Sequence, residues 1–187
     1  DLYLVNRQKA LLWGEGEEFI SAPRLDDLAC AFAALEAFLQ VDNPSQINVF
    51  ALFDNEEVGS MTRQGAMSTF LSDTLQRIDL NSGSDREHYY KMLAGSLLVS
   101  CDNAHAKHPN HPDRTDEVNF ALLNKGLVIK ESANQKYTTD AFSRAVFMRL
   151  CTRAGIPFQT FANRSDQAGG STLGNLSNTQ VSIPALD

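Results

Sequence analysis

The sequence predicts an α/β domain with a mixed, largely parallel central sheet and helices on both faces. Two observations carry this. Short apolar runs alternate along the chain with longer segments whose apolar residues recur every three to four positions. Two of the short runs are nearly continuous in apolar character, as in strands covered on both faces. The 187 residues suffice for one domain with a substantial core.

The elements follow in order. Residues 3–5 and 10–13 are short apolar runs that pair as a hairpin across a polar stretch. Asp27 is placed to cap a helix over 28–40, with Leu28, Phe32, Leu35 and Leu39 on one face. Residues 47–53 read as a central strand. A loop over 54–62 follows, then a helix over 63–78. Asp85 caps a helix to Leu93, and residues 96–101 form a second buried strand. A polar loop over 102–117 holds His105, His108 and His111. A strand over 126–130, a helix over 140–154 closed by Gly155, and a strand over 158–161 come next. Residues 166–178 form a Gly/Ser/Thr/Asn-rich loop, and 181–185 start a last strand.

Composition narrows the function. Hydrophobic residues make up 43 % and charged residues 21 %, ordinary for a globular protein. The formal net charge of −7 argues against nucleic-acid binding, which depends on Lys and Arg neutralising phosphate. Three widely spaced cysteines, Cys30, Cys101 and Cys151, read as reduced thiols and point to a cytoplasmic protein. No apolar run is long enough for a transmembrane helix, so no membrane partner is expected.

Ligand sites of such folds form beyond the carboxyl ends of the strands. Asp54, Glu56 and Glu57 directly follow the 47–53 run, Asp102 directly follows the 96–101 run, and Asp26 stands at the entry to the first helix. Carboxylates gathered at one rim repel one another, and a cation relieves the repulsion. Metal-assisted hydrolysis needs such ligands and a further carboxylate to accept the proton of a water. Taken singly, a Glu pair is more often a solvated face, and an Asp after a strand more often a turn former. The coincidence of these groups at one rim carries the inference.

Ordered motifs then carry a resemblance. They are Arg24-Leu25-Asp26-Asp27, Asp54-Asn55-Glu56-Glu57-Val58-Gly59-Ser60, and the run from Ser100 through Asp102, His105 and His108-Pro109-Asn110. The strand ending in Lys130, Asn134-Gln135-Lys136-Tyr137, Arg164-Ser165-Asp166, and Gly170-Ser171-Thr172-Leu173-Gly174 follow. Over essentially its whole length the chain resembles the aspartyl aminopeptidase family, dizinc exopeptidases. The resemblance implies a hydrolase releasing N-terminal residues, Asp or Glu preferred, from peptide substrates. Asp26 would bridge two zinc ions, Glu57 and Asp102 would each ligate one, and Glu56 would be the general base. Manganese or cobalt would fit the same ligands. His105, Lys130, Tyr137, Gly170, Ser171 and Thr172 would bind substrate, with Lys130 pairing with an acidic side chain.

Asp27 stands where the family has Asn, and Asn175 where Pro is common. Gly169-Gly170 replaces a more usual Cys-Gly. The resemblance makes residues 1–187 a partial catalytic domain, without the family's N-terminal segment, inserted dimerisation domain and C-terminal segment. The family's zinc site also uses a histidine from each flanking segment, so these residues alone are expected to bind zinc poorly and to be nearly inactive. A homo-oligomer is expected of the full-length protein. Two alternatives stand beside this reading: broader or neutral aminopeptidase specificity, or a non-catalytic scaffold or assembly subunit of the same fold.

Overall fold

The structure, a computed structural model, describes residues 2–187. It divides into two units, one ending at Phe50 and the other running Ala51–Asp187.

The first unit opens with a hairpin. Strand β1 (Leu11–Trp13) pairs antiparallel with β2 (Phe19–Ser21), Leu12 opposite Ile20. Glu17 N donates to Gly14 O at 3.3 Å to close the turn, and Gly14 takes φ +103°, which its missing Cβ permits. Trp13 stacks on Phe19 at 4.8 Å between centroids. This differs from the expected pairing of residues 3–5 with 10–13: residues 3–5 join no ladder. The turn-forming glycines lie after the 10–13 run rather than before it. Helix α1 (Leu25–Gln40) starts three residues before the expected position. Its first turn is broken at Asp26 (φ −87°, ψ 115°), and the Asp26–Asp27 peptide is cis.

The second unit carries the remaining elements. Residues 47–53, which span the boundary between the units and are expected as a central strand, join no ladder among the described residues. Ala51 and Phe53 pack on the core, whereas Ile47 and Leu52 are each 64 % exposed. An apolar run reports what can be buried, but a strand also requires a partner edge, and that is a non-local property. Helix α2 (Glu56–Gly59) is a single turn inside the expected loop. Helix α3 (Phe70–Asn81) begins seven residues later than the 63–78 expectation. Residues 60–69 instead form successive turns in which Met67 N donates to Ser60 O at 3.0 Å. A Cβ on Gly65 would lie 2.3 Å from Ser60 Cα, so only glycine permits this approach.

Helix α4 (Arg86–Ala94) starts where expected, with the Asp85 carboxylate accepting from His88 N at 2.8 Å. Strand β3 (Leu98–Val99) is followed by the polar loop, which contains a 3₁₀ turn, Pro112–Arg114. Strand β4 (Leu127–Glu131), helix α5 (Ala141–Ala154) and strand β5 (Phe158–Ala162) form a parallel crossover unit, with Lys130 opposite Phe161. Asp140 and Ser143 form a reciprocal cap at the start of α5. Its last turn ends on Gly155 in the left-handed region (φ +67°). Helix α6 (Leu173–Ser177) stands inside the 166–178 segment expected as loop, and strand β6 (Ala185–Leu186) closes the order. β6 runs parallel to β3, and Lys130 N donates to Asp187 O at 2.9 Å, linking β6 to β4. The ladders of this unit are two parallel pairs, β3 with β6 and β4 with β5, joined by that one hydrogen bond, and they bear out the mixed α/β class. Leu71, Leu75, Tyr89, Leu93 and Val181 form the core between α3, α4 and the β6 approach. Among the described residues no helix is long and apolar enough to cross a membrane.

Candidate active site

Lys130, near the end of β4, is 4 % exposed. A buried ammonium needs a partner, and Nζ donates to Asp102 Oδ2 at 2.8 Å and to the Asn103 carbonyl at 3.4 Å. Asp102 lies three residues past β3, so the strands β3 and β4 present the pair together. The Lys130 ammonium also stands 5.4 Å from the Tyr137 ring centroid.

Tyr137 links this pair to a cleft. Its hydroxyl accepts from Asn163 Nδ2 at 2.8 Å. Burial pushes the phenol above its ordinary range, and the Lys130 charge and the Asn163 bond pull partly the other way. Tyr137 is therefore a neutral phenol near pH 7, with its own proton free to donate. Gly169 makes the Asn163 contact possible: a Cβ there would lie 2.4 Å from Asn163 Nδ2.

The cleft holds about 270 Å³. His105, Arg114, Tyr137, Asn163, Arg164, Gln167, Ala168, Gly169 and Gly170 line it. His105 packs edge-on against Phe161 at 5.0 Å. Arg164 donates from Nε to Asp166 Oδ1 at 2.8 Å, from Nη2 to Asp166 Oδ2, and from Nη1 to the Asp113 carbonyl. The Asp166 partner holds Arg164 above its ordinary range, and Arg164 holds Asp166 below its own.

The structure thus gathers His105, Tyr137 and Gly170 into one cleft, with Lys130 and Asp102 beside it. Ser171 is partly buried, and Thr172 is 1 % exposed, its Oγ1 accepting from Asn175 N as the cap of α6. Glu56 and Glu57 open α2, half-buried and exposed respectively, and neither lines the cleft. Asp26 belongs to the first unit, at the kink in α1. The cleft also contains Arg114, Asn163 and Gln167, to which the sequence reading assigned nothing, and Arg164, which it quoted only as part of a motif. Arg164 beside the Gly-rich stretch and Arg114 in the histidine-bearing loop were the available signals.

The donor set tests whether zinc fits. Glu57 and Asp102 offer carboxylate oxygens, suited to a divalent cation, and Asp102 Oδ1 is not the atom engaged by Lys130. Of the imidazole nitrogens, His88 Nδ1 meets Asp79 Oδ1 at 2.6 Å and His108 Nδ1 accepts from Asn110 N at 3.1 Å.

Comparison with known proteins places these motifs. All 187 residues match the model of the family described as aminopeptidase I zinc metalloprotease (M18). A probable M18 family aminopeptidase 2 of Clostridium acetobutylicum is 46 % identical over 187 residues, which is 100 % of this chain and 43 % of that protein. A chain in the cryo-EM structure of the Ape4 and Nbr1 complex superposes with a TM-score of 0.87 at 41 % identity, covering 96 % of this chain and 35 % of that one. The S. cerevisiae mApe1 dodecamer gives a TM-score of 0.79 at 30 % identity, with 96 % and 41 % covered. The chain spans less than half the length of these relatives.

Proposed function

This chain belongs to the aminopeptidase I zinc metalloprotease family (M18), and on that premise we propose that it forms part of the catalytic domain of a metallo-aminopeptidase. The reaction is release of the N-terminal residue from peptides, with Asp or Glu preferred. The observation that carries the reading is the Lys130–Asp102 pair beside a cleft lined by His105, Tyr137 and Gly170, in a chain whose every residue falls within the family match.

By the family resemblance, Asp26, Glu57 and Asp102 would hold zinc through carboxylate oxygens. Bound zinc supplies a water ionised near neutral pH. Glu56 would be the general base for a water activated there, and its half-buried setting suits a carboxylate that takes a proton and returns it to a leaving amine. Tyr137 donates its phenolic proton to a substrate oxygen, with Asn163 fixing the acceptor side of the hydroxyl. His105 and the Gly170–Thr172 backbone orient the peptide. Lys130 holds Asp102 in place, and that engagement favours one alternative, a broader residue preference. By likeness to the mApe1 dodecamer, the protein is a homo-oligomer.

Metal-depleted and zinc-reloaded preparations of the whole protein, assayed on Asp-linked and Leu-linked chromogenic substrates, test this. The reading expects hydrolysis that returns with zinc and is faster on the Asp substrate. Equal rates support broad specificity, and no hydrolysis supports a scaffold.

A further inference from the structure

The cleft is cationic, although the chain's formal net charge is −7. Arg114 and Arg164 line it and, among the described residues, no carboxylate does. The two guanidinium groups are in different states. Arg164 has both carboxylate oxygens of Asp166 and the Asp113 carbonyl as partners, so its fork is filled and its charge neutralised. Arg114 is fixed through its backbone, Arg114 N donating to His111 O at 3.1 Å at the end of the 3₁₀ turn. Its guanidinium has no ion pair or side-chain hydrogen bond among the described residues. Lys130, a further cation, is buried and committed to Asp102. Of Arg114, Arg164 and Lys130, Arg114 alone is exposed and without an ion-pair partner among the described residues. A guanidinium takes a carboxylate through two parallel hydrogen bonds, which binds and orients it together.

We propose that Arg114 is a specificity-determining residue that binds a carboxylate of the peptide substrate, an inference that rests on the aminopeptidase reading above. Two parts of a peptide can supply that carboxylate: an acidic side chain on the N-terminal residue, or the free C-terminus of a short peptide.

The test compares the zinc-loaded whole protein with its Arg114→Gln and Arg114→Lys variants on three substrates. Aspartate anilide carries only the side-chain carboxylate, leucylalanine only the C-terminal one, and leucine anilide neither. Losing a charged hydrogen bond predicts that Arg114→Gln lowers kcat/KM on one carboxylate substrate about 10- to 100-fold more than on leucine anilide. The loss falls on KM, and Arg114→Lys recovers part of it. The substrate affected identifies the source of the carboxylate. Equal losses on all three substrates, or none, overturn the proposal. If the wild type cleaves nothing, the aminopeptidase reading fails by itself, and ligand-detected NMR with aspartate amide, leucylalanine and leucine amide decides on Arg114. A preference for one carboxylate ligand that disappears in Arg114→Gln upholds its role, and no preference overturns it.

Discussion

The Lys130 ammonium lies 2.8 Å from Asp102 Oδ2, and the two side chains are only 5 % and 17 % exposed. One strand end thereby fixes the charge presented by another. Removing one partner leaves the other buried without compensation. Lys130→Met is expected to destabilise the metal-depleted whole protein by about 3 kcal/mol, and Lys130→Met with Asp102→Leu to recover most of that. Urea denaturation of the single and double variants checks this.

Tyr137 and Asn163 form the next link. Tyr137 ionises above the ordinary phenol value of 10.0, chiefly because it is buried. The folded state holds this proton more tightly than the unfolded chain. Stability from the group is thus complete below pH 10 and is lost as pH rises from there through the higher folded value. Burial raises Tyr89 as well, so the difference in phenolate absorbance between the wild type and Tyr137→Phe during an alkaline titration should isolate one late-ionising tyrosine.

Gly169 controls the same bond. A Cβ there would meet Asn163 Nδ2 at 2.4 Å, so Gly169→Ala should displace the amide from the Tyr137 hydroxyl. That bond lowers the phenol's pKa, so its loss should make Tyr137 titrate later still. An unchanged titration would show that Asn163 adjusts without releasing the hydroxyl.

Asp140 caps α5 by accepting from Ser143 N at 2.7 Å, and this bond holds its carboxyl below the usual range. Its stabilising contribution is present above the ordinary value of 3.8 and is lost as pH falls through the lower folded value. Asp140→Ala is expected to cost about 1 kcal/mol at neutral pH, measured by thermal unfolding.

The parts of this molecule legible in the sequence are those governed locally. Asp85 and Asp140 marked helix starts because a cap acts within three residues, and Gly155 marked a helix end through its backbone freedom. The crossover of β4, α5 and β5 followed from periodicity. Pairing was not legible: residues 47–53 have the composition of a central strand, yet nothing local supplies a partner edge. The helix expected from residue 63 failed because the close approach of Gly65 to Ser60 joins two turns, which periodicity does not record. In the site, Asp102, His105, Lys130 and Tyr137 were found through motifs. The guanidinium of Arg114 was not, because its significance lies in which cations around it are already paired.

The proton-accepting role proposed for Glu56 is the centre of the account. Zinc content and peptide hydrolysis of the whole protein should be measured together for the wild type and Glu56→Gln. The account predicts that the variant keeps its zinc and loses activity by about 100- to 10,000-fold, as removal of a general base does. A Glu56→Gln protein that retains its zinc and hydrolyses peptides at nearly the wild-type rate would contradict it.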